Sequence, residues 1–414
     1  MEPKIVNREV SDLSRKELLA RSSEFIFSTG LNDGTSSLCK ENMKYGLAQM
    51  HLILEKYGFE PNALFISSPD ETISRNRYRW NSGYGYGGKL EWGAGDDKIV
   101  FLNTKPNHCG ILVLGLWEMM DPYEIIKKID EIKSKELYFD GIRLNWDYGI
   151  SNHFISCFKT NNLTDMEYPP YIFLIHGSAP ELRDDTYGIG VYIDKSENLK
   201  NMSIKEETKF GTQYIVLDSD ADEYMEINKR ALEFSCKKRE IIAQHLFENE
   251  FTIICNQPHQ FLKDYNSIYL GSNCTDIECD LINSSTFPIA LRSDISAYLM
   301  EGTNNLTKQT MMNLGFYERA KKLEVNDRLE NANITPHGAG YAFPDIKDVI
   351  NVLEYKDQRY FVCRLKKGKN RLKIVRVVSD LQYEYRKREV VLKAVQLNLG
   401  RLTARLTPVF SLKL

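Results

Sequence analysis

Apolar residues follow two periods along this chain, one typical of helices and the other typical of strands. Apolar side chains three or four positions apart predict helices over 41–57, 122–135 and 222–249. Short apolar runs bounded by turn residues predict strands over 59–67, 98–102, 111–116, 152–155, 171–175, 251–255 and 408–413. The glycine-dense, aromatic stretch 80–88 is expected to be a loop. Because helices and strands alternate without a repeat or a low-complexity linker, the pattern predicts an α+β fold in one compact unit with mixed sheets.

The composition is that of a globular protein, with 42% apolar and 27% charged residues among 414. No apolar run approaches the roughly 20 residues that span a bilayer, and the N-terminus lacks the apolar core of a signal peptide. We therefore expect a cytoplasmic protein without a membrane partner. The eight cysteines form no paired framework, so in a reducing compartment they are expected to be mostly free thiols.

The net charge of −3 conceals a basic C-terminal region. Residues 364–414 contain 14 Lys and Arg but only three acids, which gives +11 there and −14 for the remainder. One interpretation is a solvated charged surface, the usual role of such runs. The other is a surface that binds the phosphates of a polyanionic partner. Charge alone does not separate the two.

Five side chains that can bind metal share one position in the pattern, near a strand end or in a turn with Gly or Pro. Side chains at such junctions converge on clefts, and a thiolate with imidazoles is a ligand set that suits zinc, manganese, cobalt or iron. Taken singly, each has a structural alternative, since a lone histidine is more often a hydrogen-bonded core residue and a lone cysteine a buried thiol. The five are Cys109, His153, His176, His259 and His337.

The stretch 334–341 places His337 between Pro336 and two glycines. Proline fixes its own φ, and Gly338 and Gly340 allow close approach of a ligand to the backbone. Backbone N–H groups can bind phosphate oxygens there while a ring nitrogen attacks phosphorus. The alternative is a glycine-rich turn in which the histidine has no chemical role.

The order of these motifs resembles the RtcB family of RNA-splicing ligases from about Trp80 to Leu414. The matching motifs are Cys109-Gly110, Asn152-His153-Phe154-Ile155, His176-Gly177-Ser178, His259-Gln260, Arg292-Ser293 and Pro336-His337-Gly338-Ala339-Gly340, with Lys413 second to last. The Asn-His-Phe and Pro-His-Gly-Ala-Gly motifs are the specific ones. The resemblance implies a single RtcB-like domain over 80–414 with a deep metal-binding cleft, preceded by a peripheral segment over 1–79.

The resemblance also implies an RNA ligase of RNA repair or tRNA splicing that joins a 3′-phosphate or 2′,3′-cyclic phosphate end to a 5′-hydroxyl. His337 would attack the α-phosphate of GTP and carry GMP as a phosphoramidate. The cofactor would be Mn(II), with zinc or cobalt as alternatives, held by Cys109, His153, His176 and His259. The nucleotide would contact Asn152, Gln260, Ser293, Gly338, Ala339, Gly340 and Lys413. GTP and RNA with those ends would be the partners, and we expect a monomer.

Several positions depart from the family pattern. Pro106 stands where the family has an aspartate, Ser156 where it has a glutamate and Tyr341 where it has an arginine, while Gln260 replaces an asparagine. These changes leave two alternative functions open. One is an RNA-end-binding protein on the same scaffold without turnover, and the other is a metal-dependent RNA-end phosphatase or cyclic phosphodiesterase.

The proline also bears on the metal sites, because it cannot replace a carboxylate ligand. We expect one good site on Cys109, His176 and His259, and a weaker one that shares Cys109 and uses His153. The histidines outside the proposed ligand set are interpreted separately. His51 and His245 fall within helical patterns and are interpreted as structural, while the role of His108 is left open.

Overall fold

The computed structural model describes residues 9–248, 250–276, 278–279, 284–368 and 370–413. Its helices are α1 (Arg15–Glu24), α2 (Gly34–Lys56), α3 (Arg77–Asn81), α4 (Pro122–Ser134), α5 (Glu197–Met202), α6 (Asp218–Phe247), α7 (Lys308–Asn313), α8 (Tyr317–Lys322), α9 (Asn326–Glu330) and α10 (Glu389–Gln396).

The first twelve strands are β1 (Ile26–Phe27), β2 (Leu64–Ile73), β3 (Gly85–Glu91), β4 (Ile99–Phe101), β5 (Gly110–Leu116), β6 (Tyr138–Phe139), β7 (Ile142–Arg143), β8 (Phe154–Asn162), β9 (Tyr171–Gly177), β10 (Ile204–Thr208), β11 (Gly211–Leu217) and β12 (Thr252–Pro258). The remaining strands are β13 (Gln260–Asp264), β14 (Ser267–Leu270), β15 (Ser272–Cys274), β16 (Thr286–Ile289), β17 (Ala297–Gly302), β18 (Ile334–Pro336), β19 (Tyr341–Ala342), β20 (Ile346–Tyr355), β21 (Gln358–Leu365), β22 (Leu372–Val375), β23 (Glu384–Tyr385) and β24 (Gly400–Leu412).

The larger sheet has seven strands in the order β12-β5-β9-β8-β24-β17-β16, each antiparallel to its neighbours. Strand β5 is a continuous apolar run and is buried throughout, as expected for a strand covered on both faces. Helix α6 packs against this sheet through residues such as Ile242 and Leu246. The last strand, β24, pairs with β8 and so brings the C-terminal end of the chain beside residues 155–162.

A second sheet has five strands in the order β1-β2-β3-β14-β13, with β1 and β2 parallel and the others antiparallel. Strand β2 is buried along its whole length, and helix α2 packs into the same core. Residues before position 80 therefore supply two of the five strands of this sheet, β1 and β2. The polar run Ser67 to Thr72 is buried in β2, and this burial is not visible from an apolar pattern.

The elements agree with the predicted pattern over most of the chain, and two differences have local causes. Helix α2 begins at Gly34, earlier than predicted, because the Asp33 carboxylate caps the N–H groups of Thr35 and Ser36. Residues 85–88, predicted as a loop, belong to β3. Glycine is required at Gly88, where a Cβ would lie 2.4 Å from the carbonyl oxygen of Ile66 on the neighbouring strand.

Helix makes up 31% and strand 34% of the structure, which confirms the mixed helices and sheets of the predicted fold class. None of the described helices combines the length and apolar composition that a bilayer crossing requires. Seven of the cysteines are free thiols, as expected, namely Cys39, Cys109, Cys157, Cys236, Cys255, Cys274 and Cys363.

The basic C-terminal region divides into exposed and internal charges. Strands β20, β21 and β22 form a three-stranded antiparallel sheet, and Arg364 on it is exposed and pairs with Asp348 at 2.7 Å. Arg386, in contrast, is 3% exposed and binds both carboxylate oxygens of Asp33 at 2.8 Å. Part of the +11 charge is therefore used in ion pairs within the protein and is not free to bind a polyanionic partner. Lys369 lies outside the described residues.

Candidate metal centre and adjoining cavity

Three of the predicted metal ligands meet at one end of three neighbouring strands. Strand β5 begins directly after Cys109, β8 begins directly after His153, and β9 contains His176 next to its last residue. Because β9 lies between β5 and β8 and is antiparallel to both, its C-terminal end adjoins their N-terminal ends. The position at strand ends, which singled out these residues in the sequence, is what brings them together.

The candidate ligand atoms of Cys109, His153 and His176 all lie within 4.8 Å of one another. The Cys109 Sγ is 3.3 Å from Nε2 of His153, and all three side chains are buried. A thiolate and two imidazoles suit a borderline metal such as zinc, and equally cobalt, iron or manganese. This group could hold a metal ion.

Each histidine of the group is held through its Nδ1 atom. His153 Nδ1 lies 2.8 Å from a carboxylate oxygen of Asp147, which in turn pairs with the buried Lys238 at 2.9 Å. His176 Nδ1 lies 2.9 Å from the carbonyl oxygen of Asn152. Such contacts fix the ring orientation and leave Nε2 available as the ligand atom. The buried Nε2 of His176 has no hydrogen-bond partner of good geometry among the described residues.

The electrostatics of the group favour a thiolate. Burial acts to raise the pKa of Cys109, but the neighbouring His153, together with contacts from His176 and His259, brings it well below its usual value. Burial likewise acts to lower the pKa of His153, and the thiolate and Asp147 outweigh it and raise that pKa to about 9. Thiolate is the form of cysteine that binds metals.

His259 lies beside this group and also contacts Cys109. It stands between β12, in the larger sheet, and β13, in the smaller one, and its backbone N–H donates to the carbonyl oxygen of Cys109 at 2.9 Å. The ring centroid is 5.1 Å from that of His176 and 4.5 Å from that of His337. The group that could hold a metal ion contains His153, and the expected site on Cys109, His176 and His259 stays a prediction.

Two histidines outside the ligand set are buried in polar contacts. His108 Nε2 lies 3.2 Å from the side-chain oxygen of Asn228 on α6, and burial lowers its pKa to about 4. His51, within α2, contacts Arg21 at 2.6 Å and the carbonyl oxygen of Ala63 at 2.7 Å. Both are therefore placed by hydrogen bonds and not by the three-ligand group.

His337 follows β18, and its ring is held by Asp70 of β2. The Nδ1 atom lies 2.7 Å from Asp70 Oδ2, and the same oxygen accepts from the N–H groups of His337 and Gly338 at 3.1 and 3.3 Å. Asp70 is completely buried, and the Ser68 hydroxyl donates to its other oxygen. The carboxylate therefore fixes both the ring and the start of the glycine turn. Nε2 is the remaining nitrogen for chemistry.

One cavity of about 300 Å³ joins His337 to the metal group. Cys109 and His176 line it, whereas His153 and His259 are not among its lining residues. The structure also brings all the predicted nucleotide-contacting residues to this cavity. They are Asn152, Gln260, Ser293, Gly338, Ala339, Gly340 and Lys413.

The C-terminal strand brings Lys413 to this cavity. Because β24 pairs with β8, Leu412 stands opposite Ile155, and the Lys413 ammonium donates to the carbonyl oxygen of Ser151 at 3.1 Å. Ser156, where the family has a glutamate, shares a hydrogen bond of 2.7 Å with Ser411. A neutral hydroxyl pair therefore occupies a position where a carboxylate was expected from the resemblance.

Sequence reasoning missed Asp70 and Asp147, the two carboxylates that orient histidines. Asp70 lies in a strand whose ten residues are all buried, although the segment Ser67 to Thr72 is polar. Asp147 lies in the connection between β7 and β8. A charged residue inside a strand is an unusual choice, and that is the one signal that could have indicated Asp70.

Neither a family model nor a curated protein matches this chain significantly. The resemblance to the RtcB family therefore stays a prediction that rests on the motifs and on their arrangement in the cavity.

Proposed function

We propose that this protein is a metal-dependent, GTP-using RNA ligase of the RtcB type. It would join an RNA 3′-phosphate or 2′,3′-cyclic phosphate end to a 5′-hydroxyl through GMP bound to His337. The observation that carries the proposal is the pairing of His337 with Asp70 in a cavity that also contains Cys109 and His176. The proposed nucleophile and two of the candidate metal ligands thus line the same cavity.

The residues of the metal group fit a divalent ion. The Cys109 thiol is poised as a thiolate, and His176 directs a buried nitrogen without a good partner toward it. Cys109, His153 and His176 would hold the metal, with His259 next to them. When bound, the metal would supply positive charge beside phosphate oxygens and so offset the charge of the nucleotide.

In the first step, attack on GTP, the main contribution of the protein is to orient the His337 ring. His337 Nε2 donates its electron pair to the α-phosphorus of GTP, so that a P–N bond forms and the bond to the β-phosphate oxygen breaks. Pyrophosphate leaves with that electron pair. The ring becomes cationic in this step, and the buried Asp70 carboxylate beside Nδ1 stabilises the new charge.

Two further steps return the histidine to its free form. An oxygen of the RNA 3′-phosphate attacks the GMP phosphorus, which forms a P–O–P anhydride and breaks the P–N bond to His337. The RNA 5′-hydroxyl oxygen then attacks the phosphorus of the RNA end, its proton passes to solvent, and GMP leaves. A cyclic phosphate would first be opened by water.

A second candidate is an RNA-end-binding protein without turnover. The observation in its favour is that the ligand group among the described residues contains no carboxylate, and Pro106 and Ser156 stand at positions where the resemblance leads one to expect two. The experiment below separates the two candidates directly.

The test is covalent labelling with GTP radiolabelled at the α-phosphate in the presence of Mn(II), followed by a denaturing gel. We expect a labelled chain whose bond is acid-labile and stable to alkali, as a phosphoramidate is. His337→Ala should abolish the label, and so should His337→Gln, because an amide nitrogen has no available electron pair. A His245→Gln variant, at an exposed histidine on α6 that does not line the cavity, is the control. Labelling of correctly folded His337→Ala would show that another residue is the acceptor.

A further inference from the structure

Four cationic side chains among the described residues line the cavity, and three of them already have partners. Arg79 donates to the carbonyl oxygens of Thr104 and Lys105 at 2.9 and 2.5 Å. Arg292 pairs with Asp294 at 2.6 Å, and Lys413 is bound to a backbone carbonyl. The fourth, at position 75, has neither a carboxylate nor a backbone carbonyl as a partner among the described residues, and its polar contact is with the Tyr341 side chain.

Arg75 follows the end of β2, the strand that also contains Asp70. It lines the cavity, and its buried Nε has no hydrogen-bond partner among the described residues. No described carboxylate forms an ion pair with it. The guanidinium instead lies over the ring of Tyr383 at 4.3 Å and near that of Tyr341 at 5.7 Å.

The tyrosines form a support that holds this cation in place. The rings of Tyr341, Tyr383 and Tyr385 pack on one another with centroid distances of 4.9 to 5.6 Å. Aromatic faces attract a guanidinium without using its N–H groups. The Tyr341 side chain also contacts Arg75 through a hydrogen bond, and the remaining N–H groups stay available to bind two oxygens of an anion such as phosphate.

We propose that Arg75, held by Tyr341 and Tyr383, binds the terminal phosphate of the RNA 3′ end. The identity of the RNA rests on the proposed function. The metal group and the glycine turn lie where the GTP phosphates must be for His337 to attack. A second phosphate has to reach the same phosphorus from elsewhere in the cavity. Among the described cations there, Arg75 is the one held by neither an ion pair nor a backbone carbonyl. Rings beside a phosphate-binding arginine also favour single-stranded nucleic acid, whose bases stack on them.

The experiment compares two short fluorescent RNAs that differ only in a 3′-phosphate or a 3′-hydroxyl, each titrated by anisotropy with the full chain. We expect the wild type to prefer the 3′-phosphate. Arg75→Gln should weaken binding of that RNA about ten- to a hundredfold, as loss of hydrogen bonds to a charged group does, and remove the preference. Arg75→Lys should retain part of it, because the charge remains without the planar fork. Arg230→Gln, at an exposed ion pair away from the cavity, is the control.

Tyr383 provides an independent variant if Arg75→Gln does not fold. Tyr383→Phe keeps the ring under the guanidinium and should keep the end preference, whereas Tyr383→Leu should reduce it. Equal binding of both RNAs by the wild type would overturn the inference. So would an equal loss for both RNAs in Arg75→Gln, or a loss of GMP labelling instead of RNA binding, since that would assign Arg75 to the triphosphate. Absence of GMP labelling in the wild type would refute the ligase but leave the end preference measurable.

Discussion

Asp70→Asn is the change that tests most sharply how His337 is activated. Asparagine has the shape of aspartate, so its side-chain oxygen can still accept from Nδ1 and the two N–H groups that bind Asp70 Oδ2 at 2.7 to 3.3 Å. The negative charge is lost. In the first step of the proposed reaction this charge faces a ring that becomes cationic, and Asp70 is completely buried, so that water screens the pair little.

The magnitude follows from that geometry. Two unit charges about 4 Å apart interact by about 4 kcal/mol at an effective dielectric constant of about 20. The amide retains a neutral hydrogen bond worth about 1 kcal/mol, so the net loss in the transition state is about 2–3 kcal/mol. We therefore expect the labelling rate to fall about 30- to 150-fold. The free energy of unfolding should fall by only about 1–2 kcal/mol, because the Ser68 hydroxyl can donate to the carbonyl oxygen of Gly87 instead.

The assay is the single-turnover rate of GMP labelling, measured with urea unfolding and with elemental analysis of bound metal. Ser68→Ala is the matched control, since it removes a donor to Asp70 but leaves the charge beside His337, and it should label within a few-fold of the wild type. An unchanged rate in Asp70→Asn would refute the electrostatic role. A slow rate that is accompanied by loss of metal would show that the change acts through the metal group instead.

Three further predictions concern the metal, the basic region and the backbone. Cys109→Ala should lower metal affinity about a hundredfold or more, since even an outer contact of a ligand is worth 10–100-fold, while urea unfolding of the metal-free protein changes little. Neutralising all Lys and Arg within 366–371 should reduce the salt dependence of RNA binding by about 0.7 for each phosphate that the protein no longer binds; an unchanged slope would assign that run to a solvated surface. Gly340→Ala should cost about 2 kcal/mol or more of unfolding free energy, because φ is +64° there and a Cβ would lie 2.3 Å from the carbonyl oxygen of Asp70.

The sequence predicted the elements better than it predicted their assembly. Long amphipathic segments and apolar runs identified α2, α4, α6 and the strands of the larger sheet, because side chains there report directly on burial. Which strands pair with which could not be predicted from the sequence pattern. That β24 inserts between β8 and β17, and so carries Lys413 to the cavity, depends on contacts more than two hundred residues apart in sequence, such as that between Ser156 and Ser411.

The candidate site was predictable to the extent that each residue has distinctive chemistry. Cysteine and histidine at strand ends were found from type and position, and Cys109, His153 and His176 do meet. How closely each histidine approaches Cys109 was not predictable, because it depends on angstrom-scale distances. Arg75 could not be singled out either. To find an arginine that is available to bind an anion, one must know which carboxylates and carbonyls lie near each of the 54 Lys and Arg residues.

The two missed carboxylates show why a comparison of motifs position by position misjudges this site. Asp147 and Asp70 each lie within 2.8 Å of Nδ1 of a histidine and direct the opposite nitrogen away from themselves. Both carboxylates make the same contact to Nδ1, but its consequence depends on which groups lie near Nε2 of the same ring. For His153 it is the Cys109 sulfur at 3.3 Å, so the ring belongs to the group that could hold a metal ion. For His337 the ring lines an open cavity, where its nitrogen can act as the nucleophile of the proposed reaction. Neither carboxylate belongs to a motif that resembles the family, and yet under the proposed function they divide the histidines between metal binding and chemistry.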